Sequence, residues 1–274
     1  MFYWPYRFRR QTTYLVPKGP AYDFAPIIRT FVNGSEISLK VPRNSSRLAV
    51  KPLSPRKSYI LNNNDFNSAV SSEPGWESFP LLARWLDFNG PWFTGNLARL
   101  GIFVNVMKPL HPNPQVSFFH PRAFESAVAD LMRYYHSGEL SRNNLVQDWL
   151  APVEWQPLTN LPCIGAKFDA ITNPEVRRSE RCRYALLPLT DQYLLLLEFP
   201  VTRKLPFIHS SEEPEDDTDP WISEEPMKAL ADQILDSLQV RLSPEAEQQQ
   251  AKALERLSAG ERGLVKEFPP LKWV

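Results

Sequence analysis

The stretch Tyr184-Ala-Leu-Leu-Pro-Leu-Thr-Asp-Gln-Tyr-Leu-Leu-Leu-Leu-Glu-Phe199 decides the fold class. Two apolar runs, Tyr184 to Leu189 and Tyr193 to Phe199, flank a short polar interruption in which Asp191 has turn-forming chemistry, its side chain suited to bonding nearby backbone. The pattern predicts an antiparallel hairpin. Leu194 to Leu197 offer no polar face, so the second strand is expected to be covered on both sides.

Downstream of this hairpin, Pro226 opens a predicted helix with Met227, Leu230, Ala231, Ile234 and Leu238 on one side. Ser243-Pro244-Glu245 supplies the N-cap and first turn of a second helix, expected to run to about Gly260. The tail Phe268 to Val274 is apolar enough to dock on the body. Upstream, a strand is expected from Cys163 to Ile171 and a Trp-rich linker around Trp149 and Trp155. A helix from Pro121 to about His136 carries Phe124, Val128, Leu131 and Tyr135 on one face, with Gly138 as its stop. Strands are predicted at Leu100 to Val106 and Gln115 to Phe119, and a short helix opened by Pro80, with Phe79, Leu82, Ala83 and Leu86 at helical spacing and Asn89-Gly90-Pro91 at its end. Residues 42 to 75, rich in Pro, Ser and Asn, read as an irregular connection. Before it, Asn33-Gly34 supplies the positive φ angles of a two-residue hairpin turn between Ile27 and Val41. Pairing Val32 with Ser35 places Ile28, Thr30, Val32, Ile37 and Leu39 on the core face. The order of elements indicates an α+β fold: antiparallel sheets with packed helices, two β-rich subdomains (1–145 and 150–274), and a C-terminal helical pair.

At 274 residues with 43% hydrophobic content, the chain can bury a sizeable core. No apolar run approaches the roughly 18 to 20 residues of a membrane span, the densest being Tyr193 to Leu197. The opening MFYWPYRFRR lacks the apolar region and cleavage site of an export signal, and Cys163 and Cys182 are expected to be buried free thiols, so the cytoplasm is the expected compartment. The ten glycines form neither phosphate-cradling pattern, and no G-x-S-x-G elbow occurs, so neither a cofactor nor a catalytic residue is assigned. His111, His120, His136 and His209 lack the spacings with which one segment offers two metal ligands, and no metal site is expected. His120 suits the cap of the helix beginning at Pro121, and His136 its negative end. Asp169, Asp191 and Glu198 lie on or near predicted strands, as in nucleases that hold Mg²⁺ between strand carboxylates, but the usual nearby lysine is missing and Asp191 reads as a turn residue. A basic, aromatic N-terminus has some of the chemistry of a single-strand binder, yet its charge is scattered and no recognised module accompanies it, so nucleic acid is not the expected partner.

The zero net charge conceals an asymmetry: residues 1 to 60 carry eleven Lys or Arg against Asp23 and Glu36. The acidic counterpart is Ser211 to Glu225, with Glu212, Glu213, Glu215, Asp216, Asp217, Asp219, Glu224 and Glu225 around Trp221. Exposed carboxylates favour a cationic partner and speed encounter by roughly 10 to 10³ at low salt, and a Trp among them supplies an anchor. The same segment also fits a solvated linker whose last two acids favour the positive start of the following helix.

With its Trp- and Pro-rich character, this acidic aromatic loop and the Trp155-Gln-Pro-Leu-Thr-Asn-Leu-Pro-Cys-Ile-Gly-Ala-Lys-Phe-Asp169 stretch, the chain resembles the immunity proteins that neutralise antibacterial toxins, type VI secretion effectors included. The resemblance implies a non-catalytic inhibitor that covers the basic active site of a cognate toxin, such as a nuclease, with Glu212, Glu213, Glu215, Asp216, Asp217, Asp219 and Trp221 as the partner-binding residues. An accessory or adaptor protein of a secretion apparatus is the alternative, and a metal-dependent nuclease or hydrolase the third reading.

Overall fold

The computed structural model describes residues 15–46, 52–68, 75–90, 95–136, 149–173, 180–203 and 222–271. In chain order the elements are β1 (Ile27–Val32), β2 (Ser35–Lys40), β3 (Ser58–Tyr59), β4 (Asn67–Ser68), β5 (Trp76–Asn89), β6 (Asn96–Pro109), α1 (Pro121–His136), β7 (Trp149–Pro157), β8 (Ala166–Thr172), β9 (Arg181–Pro188), β10 (Leu194–Arg203), α2 (Glu225–Asp236), β11 (Gln239–Arg241) and α3 (Pro244–Leu254). They form a four-stranded sheet, β11-β2-β1-β3, and a seven-stranded sheet, β4-β5-β6-β10-β9-β8-β7. Every pairing is antiparallel except the short β1–β3 contact, so the fold is α+β with antiparallel sheets, packed helices and a C-terminal helical pair. No described helix is long and apolar enough to cross a membrane.

The four leucines of β10 explain the layering. Leu195 and Leu197 join the core that includes Val32, Ile37 and Leu39 of the small sheet and Met227, Leu230 and Ile234 of α2. Leu194 and Leu196 point the other way, into a core with Phe124, Val128 and Leu131 of α1. All four are fully buried, which follows from the period of two in a strand with a layer on each side. Each such leucine contributes about 1.5–3 kcal/mol of apolar burial. β10 runs between β9 and β6, and where it passes β6 a Cβ on Gly101 would lie 2.7 Å from the Pro200 ring, so only glycine fits there.

The N-terminal hairpin has the register expected from Asn33-Gly34: Val32 pairs with Ser35, and both turn residues have positive φ, 47° and 82°. Thr30, Val32, Ile37 and Leu39 are buried. Ser243 caps α3 by accepting from the Ala246 amide, as its sequence context predicts, but the helix ends at Leu254 rather than near Gly260. The tail docks: Phe268 packs on Trp155 at 5.0 Å between ring centroids, and the Leu271 amide donates to the Ala151 carbonyl at 2.8 Å. Residues 272–274 lie outside the described residues.

The Trp-rich linker expected around Trp149 and Trp155 is strand β7, paired with β8, and two further expected elements are different. The helix placed at Pro80 is part of β5, in which Leu82, Arg84, Leu86 and Phe88 are buried with a period of two. The helical spacing of Phe79, Leu82, Ala83 and Leu86 arises because the β5–β6 register shifts between Pro80 and Leu82, adding one residue to the strand. Proline is tolerated at such an irregularity because a ladder donor is not required there. The alternation is also masked by Arg84, which reads as polar yet is buried, its guanidinium donating to the Val41 and Pro42 carbonyls at 3.0 and 2.6 Å. The strand expected at Gln115 to Phe119 is a run of turns, with the Phe118 amide donating to the Asp191 carbonyl across to the β9–β10 hairpin. The large sheet takes β4 to β6 from before residue 145 and β7 to β10 from residue 149 onward, and β11 joins the N-terminal sheet.

Candidate functional site

In β8 the alternation that buries Phe168 toward α1 turns Lys167 and Asp169 to the opposite face. In β9 the same rule turns Arg181 and Arg183 to the face shared by Ala185 and Leu187. The register sets Asp169 directly across from Arg183, with Arg181 on the diagonal. The Asp169 carboxylate accepts from Arg183 Nε at 2.8 Å and Nη2 at 3.2 Å and is ion-paired with Arg181. Helix α2 crosses this face because its apolar side is buried in the core, leaving Glu225, Lys228, Ala229 and Asp232 toward the charged strands. Between them lies a cleft of about 340 Å³, closed on its far side by Glu154 and Gln156 of β7.

The charges of the cleft form one network. Arg183 Nη1 lies 2.6 Å from Asp232 Oδ1, and Lys167 Nζ lies 3.1 Å from the same oxygen. Arg181 reaches Glu224 at 3.2 Å and Glu154 at 3.3 Å, and Arg203 reaches Glu224 at 3.8 Å. Lys167, Arg181, Arg183 and Arg203 thus face Glu154, Asp169, Glu224 and Asp232. Burial by itself lowers the pKa of both Arg181 and Arg183, but Asp169 and the other nearby carboxylates outweigh it and hold both above the ordinary arginine value. The network is graded in depth. The side chains of Asp169 and Arg183 are 1% and 10% exposed, whereas Asp232 and Glu154 are 37% and 45% exposed and Glu225 is 75% exposed. The mouth is therefore lined by carboxylates and the floor by paired arginines.

The sequence-predicted contact residues Glu212, Glu213, Glu215, Asp216, Asp217, Asp219 and Trp221 lie outside the described residues. The points where that segment leaves and rejoins the fold are described, and they are held together. Arg203, at the end of β10, donates to the Ile222 carbonyl at 3.1 Å, and Ile222 forms a parallel bridge with Leu15. The Ser223 amide donates to the Leu15 carbonyl at 2.8 Å. Glu224 is drawn into the network under Arg181 and Arg203, so its charge is internal, while Glu225 sits in the first turn of α2 beside Lys228 at 3.7 Å.

The carboxylates weighed as a metal site do not meet. Asp169 belongs to the arginine network on one face of the large sheet. Glu198 is on the other, accepting from the Tyr135 hydroxyl at 3.1 Å and the Asn105 amide at 3.4 Å. Asp191 is in the β9–β10 turn, where its amide donates to Gln249. No group of three His, Cys, Asp or Glu able to hold a metal ion occurs among the described residues. His120 caps α1 through both its carbonyl, which accepts from the Phe124 amide, and its ring, which accepts from the Arg122 amide. His136, at the other end, packs 4.7 Å from Trp149 with Nε2 3.3 Å from the Tyr184 hydroxyl. Both cysteines are buried and free; burial pushes the Cys163 thiol up to about 12 and, with the charge of Glu198, raises that of Cys182.

The charged cleft was not foreseen from sequence. Its trace there is the pair of two-residue spacings, Lys167-x-Asp169 and Arg181-x-Arg183, each placing two charges on one face of a strand. What the spacings lack is the register between β8 and β9 and the position of α2. In comparisons with known proteins, no family model, no curated protein and no solved structure matches the chain.

Proposed function

We propose that the protein is a non-catalytic immunity protein that binds a cognate antibacterial toxin, such as a nuclease effector of type VI secretion, and blocks its active site. The acidic segment, with Glu212, Glu213, Glu215, Asp216, Asp217, Asp219 and Trp221, is the contact element, and the toxin's basic substrate cleft is its counterpart. The observation that carries the reading is the clamp at the base of the segment, where Arg203 ties Ile222 and Glu224 to the end of β10. The clamp brings the two described ends of the segment to one place beside the end of β10, which sets where on the fold the segment is attached. The clamp also separates the charges by role: Glu224 neutralises arginines within the fold, leaving Glu212 to Asp219 without such partners in sequence neighbours. Carboxylates gathered in this way steer a basic partner and exclude its polyanionic substrate from the same surface.

The test is protection from toxicity. The chain is co-expressed in a sensitive bacterium with the products of the genes beside its own, and one of these is expected to arrest growth unless the chain is present. Replacing the six carboxylates with Asn or Gln and Trp221 with Ala should abolish protection while leaving the melting temperature unchanged. Protection that persists in this variant removes the segment from the mechanism. Binding to a secretion component without relief of any toxicity favours the adaptor reading.

A further inference from the structure

The basic N-terminal part of the chain has no role in the proposed function, and one edge of the small sheet gathers some of its charge. β1 pairs with β2 along its whole length, but its other edge is only half covered by β3. There the Phe31 amide donates to the Lys57 carbonyl and the Asn33 amide to the Tyr59 carbonyl, both at 3.0 Å. By alternation Ile27 and Arg29 turn their N–H and C=O groups to the same edge, and no backbone bond from a described residue reaches them there. The chain before β3 is drawn away: Pro55 has no N–H to donate, and Leu53 exchanges backbone bonds with Ala83 of β5 at 3.0 and 3.1 Å. Phe24 and Ile27, at the open end, are 90% and 61% exposed. The turn that carries Phe24 is anchored, the Ala25 amide donating to the Tyr22 carbonyl at 2.9 Å and the Tyr22 hydroxyl to the Gln233 carbonyl at 2.7 Å. Arg29, Arg56 and Lys57 are exposed along this edge, and none of them belongs to an ion pair among the described residues. Arg56 is fixed beside β1 by its carbonyl, which accepts from Thr30 Oγ1 at 2.8 Å. Glu36, one of the two acids in the first 60 residues, is taken by Arg241 at 2.7 Å on the β11 side of the sheet.

We infer that the open edge of β1 takes an extended, acidic segment of a polypeptide partner, added to the small sheet beside Ile27 and Arg29. Its carboxylates face Arg29, Arg56 and Lys57, and its apolar side chains meet Phe24 and Ile27. The edge offers donors and acceptors in alternation, which a second peptide backbone answers in full. A phosphodiester backbone, which has acceptors only, answers half of them. Cations without acidic neighbours select against a basic strand and against this edge pairing with itself in a second copy. The inference goes beyond the toxin-binding reading, which assigns the acidic segment to a basic partner and leaves this edge unused.

The test titrates the full-length chain at low salt with four fluorescent probes: a capped hexapeptide of alternating Glu and Val, its counterpart of alternating Lys and Val, the Glu peptide N-methylated at every amide, and hexathymidylate. The Glu peptide is expected to bind, to weaken as salt is added, and to slow hydrogen exchange at the Ile27 and Arg29 amides. The Lys peptide and the N-methylated peptide are expected not to bind, the first for its charge and the second for its missing N–H groups. The triple variant R29Q, R56Q and K57Q should weaken the Glu peptide about tenfold, and F24A by a similar factor. These side chains are exposed, so neither variant should move the melting temperature. No binding of the Glu peptide overturns the inference, as does equal binding of the Lys or N-methylated peptide, unchanged exchange at Ile27 and Arg29, or affinity unchanged in either variant. Tighter binding of hexathymidylate than of the Glu peptide overturns it in favour of nucleic acid. None of these outcomes bears on protection from a toxin, which the variant of the acidic segment decides.

Discussion

Replacing Asp169 with Asn tests whether the charged network holds β8, β9 and α2 together. The Asp169 side chain is 1% exposed and accepts three N–H groups, one from Arg181 and two from Arg183. A hydrogen bond to a charged group contributes about 1.5–3 kcal/mol, and breaking a buried ion pair costs about 3–5 kcal/mol because the remaining charge is left without its partner. Here the guanidinium groups are not abandoned: Arg183 keeps Asp232 at 2.6 Å and Arg181 keeps Glu224 at 3.2 Å. The amide of Asn also retains one acceptor oxygen. These remaining contacts place the loss at the lower end, about 3 kcal/mol. For a chain of this size that lowers the melting temperature by about 6–12 °C. Denaturant unfolding followed by tryptophan fluorescence and far-ultraviolet circular dichroism measures it, with the denaturant slope unchanged. The companion D232N, at a side chain exposed by 37%, is expected to cost less than about 1 kcal/mol. A loss below about 1 kcal/mol for D169N, or equal losses for the two variants, would refute the idea that the buried centre of the network does the holding.

Burial holds the Glu198 carboxyl above the ordinary glutamate value of 4.5, while hydrogen bonds from Tyr135 and Asn105 pull in the opposite direction without overcoming it. The native state therefore keeps a proton that the unfolded chain has released, and stability falls as pH rises from 4.5 through the raised native value. E198Q, which keeps an acceptor for Tyr135, should flatten that decline and raise the melting temperature at neutral pH; a decline as steep as in the parent would assign it to other groups. With both thiols buried and raised in pKa, Cys163 and Cys182 should resist a disulfide reagent in the native protein and both react once it is denatured. Reaction of either at the native rate of a free thiol would show that its face of the sheet opens.

Elements whose pattern is local and unbroken were legible in the sequence. Asn33-Gly34 determined a hairpin and its register because few residue pairs accept two consecutive positive φ angles. The run Leu194 to Leu197 announced a strand covered on both faces, and Ser243-Pro244 announced a helix start. β5 was lost for a nonlocal reason: its bulge at Pro80 offset the period, and the buried Arg84 disguised an inward position as an outward one. The carbonyls that satisfy Arg84 belong to Val41 and Pro42, far away in sequence, so no local rule could have marked that guanidinium as buried.

The same distinction divides the candidate sites. By itself the sequence determined that Lys167 and Asp169 share a strand face, because side-chain alternation depends on nothing beyond the strand, whereas Arg181 and Arg183 precede the strand expected from Tyr184 and share a face only because β9 begins at Arg181. It also determined that Glu212 to Asp219 concentrate negative charge around Trp221. Only the tertiary structure decided that Asp169 stands opposite Arg183, that α2 brings Asp232 and Glu225 over them to enclose a cleft, and that Arg203 clamps Ile222 and Glu224 at the base of the acidic segment. Ion pairs are made across space, between groups whose separation is set by strand register and helix placement. Those in turn depend on how the apolar faces of β10, α1 and α2 pack, which no short stretch of sequence contains.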